Sequence, residues 1–372
     1  MYQPLKGTMP GRKRGASLLS YGLVVGLISV VALAAVTGTG SSANSLFVNV
    51  ADTLEGTATG GSSGASSGGS GSAPDAGPCG TAPQSFASSG TTTLNPPIGC
   101  ETATIKMWGG GGMWGLSGDD SFGGAGAYVG GTLTGLTNSD SLELIVAEFG
   151  SVRGAGGGAS YVNLNGSPML VAAGGGGGGG HGSHSAGGAG GGGGDTSTAQ
   201  DGLGRSSGGR VANGGAGATS SGGGAGGTAT NTSTEGTCQG DPGGVNAGGD
   251  RVQASNSGAI CTYSGAVSMG TSTATNHVSN GAGGGGGGGY YGGGGGGAVY
   301  TYTGGGGGGG ISFIDSAVSG GTADAADRET PGNDADPDRA GAGKGGDYIG
   351  PWHSRTFSNP TGGLILITWG DG

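Results

Sequence analysis

One long, uncharged and mainly apolar stretch lies near the N-terminus. It runs from Leu18 to Val36, and a basic cluster that includes Lys13 and Arg14 precedes it. As a helix with a rise of about 1.5 Å per residue, it would be about 28 Å long, close to the thickness of the membrane hydrocarbon layer. The pattern predicts a transmembrane helix with its basic end in the cytoplasm and the C-terminus of the chain outside.

Farther along the chain, short segments combine alternating apolar positions with β-branched and aromatic residues, which is typical of strands. The predicted strands are residues 103–108, 127–133, 141–149, 160–164, 169–172 and 364–369. The first and the last of them have similar compositions, and both end in Trp. We therefore expect these two strands to lie side by side and to close a mainly-β sandwich.

Runs of pure glycine separate several of these strands. They comprise residues 174–180, 190–194, 283–289, 292–297 and 304–310. Glycine loses much backbone entropy on ordering, so one interpretation is disorder. However, the runs lack serine, abut apolar strands directly, and several of them have similar lengths of five to seven residues. We therefore favour packed polyglycine helices, extended three-fold helices whose backbone groups bond to neighbouring segments.

Composition and charge narrow the class of protein. The chain has 372 residues, of which 105 are glycine, and a formal net charge of −10. An acidic chain with few clustered cations does not suit nucleic acid as a partner. Residues 57–77 form a mixed Gly/Ser tract without large apolar residues, which is typical of a flexible linker.

The four cysteines suggest disulfides in an exported protein. Four cysteines allow three connectivities. We favour Cys79 with Cys100 and Cys238 with Cys261, because each pair closes a short loop.

No group of residues suggests catalysis. G-x-S-x-G sequences occur without a preceding strand, and a lysine in a glycine-rich segment lacks the rest of a P-loop. Alternating Asp334, Asp336 and Asp338 lack the other features of a calcium loop, so a solvated acidic loop is the simpler interpretation. His181 and His184 would need further ligands to hold a metal. We expect no metal, no cofactor and no enzymatic activity.

Aromatic residues beside the glycine runs are the candidates for binding. Tyr290 and Tyr291 separate two runs, while Tyr300 and Tyr302 precede a third. They could offer flat contact surfaces to a ligand, or they could cover the glycine core from the side. The sequence leaves both possibilities open.

The start of the chain resembles Flp-type (tight-adherence) pilins. In that family a prepilin peptidase cuts after a glycine, and an apolar helix with a Tyr-Gly-Leu sequence follows. Here the cut would separate Gly15 from Ala16, and Tyr21, Gly22 and Leu23 match the helix. The resemblance implies a retained membrane helix and assembly with other pilin subunits. A plain membrane anchor and a cleaved secretory signal are the two alternatives.

One position departs from the pilin pattern. The family has Glu at the fifth position after the cut, where this chain has Ser20. A buried carboxylate is costly unless it is paired, so in the family it would direct assembly by meeting a neighbour's amine. Ser20 cannot do this, and the departure therefore favours a minor or tip subunit over a major pilin.

The glycine-rich part resembles a second family. The sequences ATIKMWGGGG, MLVAAGGGGGGG and GGGGGGGISFID are similar to the glycine-rich domain of anaplastic-lymphoma-kinase-type receptors and of many bacterial surface proteins. These relatives bind ligands or adhere, so the resemblance implies recognition. It covers the large domain.

Together these observations predict four regions and one function. The regions are a basic leader (1–15), a pilin-like helix (16–56), a Gly/Ser linker (57–78) and a glycine-rich β domain (79–372). The predicted function is a pilin-like surface subunit for adhesion, present at the inner membrane before assembly and then in an extracellular filament. Its expected partners are the membrane, other pilin subunits, a prepilin peptidase and an unknown surface ligand. The alternative is a single-pass membrane-anchored structural or receptor-like protein outside any filament.

Overall fold

Twenty-two strands and one short helical turn make up the regular structure of a computed structural model. It describes residues 79–80, 82–115, 121–180, 187–231, 236–254, 261–264, 267–268, 271–272, 281–300, 302–349 and 356–372. All of these residues belong to one compact unit, from Asp75 to Gly372. The strands are β1 (Gln84–Phe86), β2 (Gly90–Leu94), β3 (Thr102–Trp108), β4 (Tyr128–Thr134), β5 (Leu142–Val146), β6 (Ser160–Leu164), β7 (Ser167–Ala172), β8 (Arg205–Ser207), β9 (Arg210–Ala212), β10 (Ala229–Thr230), β11 (Thr237–Cys238), β12 (Arg251–Ala254), β13 (Cys261–Ser264), β14 (Val267–Ser268), β15 (Thr271–Ser272), β16 (Ala298–Val299), β17 (Thr303–Gly304), β18 (Phe313–Ile314), β19 (Ser319–Asp324), β20 (Asp347–Ile349), β21 (Thr356–Ser358) and β22 (Leu364–Gly370).

Two five-stranded antiparallel sheets form a sandwich. One has the strand order β1-β22-β3-β4-β19, and the other has the order β18-β7-β6-β5-β2. The last strand, β22, pairs along its whole length with β3, so that Ile367 lies opposite Ile105. The predicted pairing of the first and last apolar segments is therefore confirmed, and all six predicted strands are present with small differences in their bounds.

Alternation along these strands places one face of each sheet in a common core. In β3, Ala103, Ile105 and Met107 are fully buried, whereas the intervening Thr104 is exposed. They pack with inward-facing residues of the second sheet, including Leu144 and Val162. Period-two burial of this kind is the expected result of two sheets that pack face to face.

Beside the sandwich, extended glycine-rich segments lie side by side in what we call the glycine array. Its segments are residues 109–115, 121–127, 154–158, 174–180, 187–194, 199–203, 213–218, 223–228, 240–244, 247–252, 282–289, 291–297 and 304–311. The five pure glycine runs all lie within it and are buried. Their ordered packing confirms the polyglycine interpretation and excludes the alternative of disorder for these runs.

Lateral hydrogen bonds in the array repeat every three residues. Gly174, Gly177 and Gly180 donate to the carbonyls of segment 282–288, at N···O distances of 2.8, 2.8 and 2.6 Å. The residues between them donate to other neighbouring segments, also at a spacing of three residues. The partners of segment 174–180 are segments 109–115, 121–127, 154–158, 187–194, 282–289 and 304–311. A repeat of three residues is the signature of extended three-fold helices. Segments 174–180, 291–297 and 304–311 each bond to six neighbouring segments.

Close approach of the backbones explains why glycine dominates the inner segments. A Cβ atom added at Gly175 would overlap the carbonyl oxygen of Gly124, and one at Gly294 would overlap that of Ala225. Segments on the outside of the array contain alanine, such as Ala225, which is exposed. Buried backbone groups are satisfied by lateral bonds, so the array has an ordered interior without a side-chain core.

The predicted fold class is wrong in one respect. It combined a transmembrane helix with the β-sandwich, but no helix within the described residues is long and apolar enough to cross a membrane. The described helical structure is the single 3-10 turn Pro337–Arg339. Glycine and β-branched residues, which dominate this part of the chain, disfavour helices. The helix predicted for residues 16–56 and the linker predicted for residues 57–78 lie outside the described residues.

Candidate functional site

Tyr290 and Tyr291 lie at the end of the glycine array that adjoins the sandwich. The ring of Tyr290 stacks on Phe313, with centroids 4.3 Å apart, and meets Tyr291 edge-on at 5.1 Å. Both tyrosines are half-buried. Tyr290 therefore covers the outer face of a sheet, which agrees with the covering role. Beside the two tyrosines, Val245 is 65% exposed.

Tyr300 and Tyr302 lie at the opposite end of the array, about 20 Å away along an extended glycine helix. Tyr300 packs against a small cluster that contains Cys238 and Val252. The guanidinium of Arg210 lies over the ring of Tyr302, 3.6 Å from its centroid. The four tyrosines therefore form two separate pairs, and the structure does not bring them together in one binding site.

The aspartates at 334, 336 and 338 are paired with cations, and Asp334 and Asp338 are also about half exposed, as expected for a solvated acidic loop. The ammonium of Lys106 lies 2.9 Å from a carboxylate oxygen of Asp336 and 2.8 Å from one of Asp338. Arg339 pairs with Asp334 at 2.8 Å. Each carboxylate thus has a basic partner. Within the described residues no cluster of three metal-ligating side chains occurs.

These contacts shift the pKa values of the partners. Hydrogen bonds to Asp338 and Asp336 raise the pKa of Lys106. Burial raises the pKa of Asp336, but hydrogen bonds with Lys106 and the Asp338 amide outweigh it, so the pKa is lowered overall. A raised lysine pKa stabilises the fold below its unfolded value, and a lowered aspartate pKa stabilises the fold above its unfolded value. The pair therefore stabilises the protein between about pH 4 and pH 10.

Replacing Lys106 with Gln is expected to lower the free energy of unfolding at pH 7 by about 1 kcal/mol, since the lysine is partly solvated. The difference from the wild type should be much smaller near pH 2, because the lowered pKa of Asp336 keeps its carboxylate ionised until the pH is well below 4, and it should shrink as the pH rises above about 10. Urea unfolding at these three pH values measures it. An equal difference at every pH would show that the ion pairs are not its source.

The two disulfides have the favoured connectivity. Cys79 is bonded to Cys100, and Cys238 is bonded to Cys261, with sequence separations of 21 and 23. The first fastens the beginning of the domain beside β3, and the second links β11 to β13 at the far end of the glycine array. Two disulfides are typical of an extracellular or secreted protein.

A polar cavity of about 280 Å³ lies between segment 121–127 and the chain near residue 345. These two stretches run side by side, with Gly123 and Gly126 donating to the carbonyls of Gly346 and Gly343 at 2.9 and 2.8 Å. The third wall follows Arg328, whose carbonyl accepts from Ala125. Besides three glycines, the residues that line the cavity are Phe122, Glu329, Thr330, Lys344 and Asp347.

Sequence reasoning missed this cavity. Phe122 is separated by about two hundred residues from the polar residues that share the cavity with it. Only the lateral pairing of two extended segments brings them together. No local motif marks the site.

Several predicted site residues lie outside the described residues. They are the processing pair Gly15 and Ala16, and the helix residues Leu18, Tyr21, Gly22, Leu23 and Val36. His181 and His184 also lie there. No protein-family model matches the chain, and no curated protein matches it.

Proposed function

We propose that the chain is an extracellular recognition or adhesion protein without enzymatic activity. The glycine array is the observation that carries this proposal. Its interior consists of hydrogen-bonded backbone, as in segment 304–311 with six neighbouring segments. An interior of this kind provides a rigid support while contributing few reactive side chains. Polar and aromatic side chains lie at the ends of the array and around the polar cavity. This arrangement suits binding of an external ligand.

Surface exposure and attachment test this proposal. Intact cells that produce the chain would be treated with a protease that cannot enter them, and the chain would be followed by immunoblot. We expect cleavage on intact cells, oxidised cysteines, and weaker attachment to surfaces in cells that lack the chain. A chain that is protected from the protease and has reduced cysteines would contradict the proposal, as would unchanged attachment.

A pilin-like role is a narrower form of the same proposal. Its support is the sequence around Gly15 and the Tyr21, Gly22 and Leu23 match. In this form a prepilin peptidase processes the chain, which then joins other pilin subunits in an extracellular filament. N-terminal sequencing of the mature chain should give Ala16, and sheared filaments should contain the chain. A mature N-terminus at Met1 would exclude this form without affecting the recognition role.

A further inference from the structure

One outer helix of the glycine array, residues 223–228, has its described neighbours on one side only. It bonds to segments 213–218, 240–244 and 291–297, whereas an inner helix such as 304–311 bonds to six segments. The first two of these neighbours also bond to the third, so all three are adjacent to one another around the helix. No described segment occupies the opposite side, where three residues of the helix are exposed.

The open side of this helix presents more hydrogen-bond donors than acceptors. Within the described residues, four N–H groups of the helix have no hydrogen-bond partner, those of Gly223, Ala225, Gly226 and Thr228. In the same part of the chain, only the carbonyls of Gly223 and Gly226 are without a partner in this helix. A binding partner that mainly accepts hydrogen bonds therefore complements this side of the helix.

The two neighbouring outer segments do not have this excess of donors. In segment 213–218, five of the six N–H groups donate to acceptors within the protein. Segment 240–244 contains Pro242, which has no N–H group. The donor-rich surface is therefore a particular property of helix 223–228 and not a general property of outer segments.

The free donors repeat with the period of a three-fold helix. Gly223 and Gly226 are three residues apart, as are Ala225 and Thr228, so the members of each pair are about 9 Å apart along the helix. A polyproline II helix has the same rise and the same repeat of three residues. A β-strand directs its backbone groups to one side every two residues, about 6.6 Å, and does not match this spacing.

We infer that helix 223–228 is a docking surface for a proline-rich segment of another protein in the polyproline II conformation. Proline lacks an N–H group, so such a segment presents carbonyls alone and complements the free donors. The exposed side chains of the helix, Ala225 and Thr228, are small, so the two backbones can approach closely. A second copy of the chain fits less well, because two donor-rich surfaces would face each other.

This inference rests on the proposed recognition function and names the class of partner. The probe is a fluorescently labelled peptide of about ten prolines, titrated into the full-length chain and followed by fluorescence anisotropy. We expect a Kd on the order of 0.1 mM. A Gly/Ser peptide of the same length carries N–H donors and has no fixed conformation, so it should bind at least about tenfold more weakly.

Two variants of Ala225 test the surface itself. Ala225→Pro removes an N–H group that has no partner within the described residues, and proline suits the backbone of a three-fold helix. Its melting temperature should equal or slightly exceed that of the wild type, while binding of the proline peptide should weaken about fivefold or more. Ala225→Arg keeps the N–H group but covers the open side with a long side chain, and it should weaken binding by at least as much.

The matched control for the second variant is Ala87→Arg. It makes the same change at an exposed position between β1 and β2, so it should bind the proline peptide as the wild type does. Because Ala225 is also exposed, Ala225→Arg should keep the wild-type melting temperature, and a loss of binding then reports on the docking surface.

The docking assignment fails if the proline peptide does not bind, if the Gly/Ser peptide binds equally well, or if both Ala225 variants bind normally. Self-association that Ala225→Arg abolishes, measured by sedimentation, would assign the surface to a second copy of the chain instead. The recognition function is tested separately by attachment of cells. If attachment depends on the chain but the proline peptide does not bind, the docking assignment fails while the recognition function stands.

Discussion

Replacing Gly307 with Ala is expected to prevent stable folding of the glycine-rich domain. Gly307 lies in segment 304–311, which has six neighbouring segments. An added Cβ would overlap the carbonyl oxygen of Gly285, and the contact is with backbone that is itself hydrogen-bonded. Relief would require neighbouring helices to move apart and to break several lateral bonds. We expect a loss of more than about 4 kcal/mol, a size that single substitutions rarely reach.

The matched control is Gly222→Ala. Gly222 lies at the turn between two outer segments, and a Cβ added there would meet no atom within 4 Å. The two variants carry the same chemical change, so the unfolded chains are affected equally. Thermal unfolding should show Gly222→Ala close to the wild type and Gly307→Ala unfolded or strongly destabilised. Similar melting temperatures for both variants would mean that the array is not packed as described.

Removing both disulfides is expected to produce the second large loss of stability. Sequence separations of 21 and 23 correspond to a loss of about 3 kcal/mol for each bond, mainly through the entropy of the unfolded chain. The bonds lie in different parts of the domain, one beside β3 and the other between β11 and β13, so their effects should be nearly additive.

Denaturant unfolding of three variants measures these contributions. The variants replace Cys79 and Cys100, Cys238 and Cys261, or all four cysteines with Ser. A reducing agent should destabilise the wild type to about the level of the fourfold variant and leave that variant unchanged. If the reducing agent shifts the fourfold variant as well, a process other than disulfide reduction is responsible.

The sandwich could be predicted largely from the sequence, because its central strands alternate apolar and polar residues. The edge strands could not. β2 (GTTTL) and β19 (SGGTAD) are mostly exposed and contain few apolar residues. Their positions depend on pairing with β5 and β4, which are distant in sequence. Such pairing leaves little trace in the local composition of an edge strand.

Only part of the glycine array could be predicted from the sequence. Pure glycine runs indicated its inner helices. Outer segments such as 213–218 and 223–228 contain Asn, Ala or Thr, so their composition is that of ordinary loops. They belong to the array because one side of each helix faces outward and accepts a side chain, as at Ala225. In such segments, a glycine at every third residue, one turn of a three-fold helix, is the sequence pattern that could have predicted them.

The candidate binding residues were predicted with less success. Tyrosines beside glycine runs were candidates for exposed aromatic contact surfaces. However, Tyr290 is stacked on Phe313, and Tyr302 lies under the guanidinium of Arg210. The polar cavity depends on lateral contacts between distant segments, and composition alone does not reveal such contacts. The disulfide pairing was predicted correctly because short loops are the easiest to close.

Hydrogen bonds between backbone groups alone do not fix how neighbouring glycine helices are aligned along their axes. Sliding one glycine helix by three residues would restore the same set of bonds, because every glycine presents the same atoms. Alignment must therefore come from the ends, where β18 pairs with β7 and places Phe313 opposite Val171. It follows that the array could lengthen in steps of one turn, about 9 Å, without any change to the sandwich that anchors it.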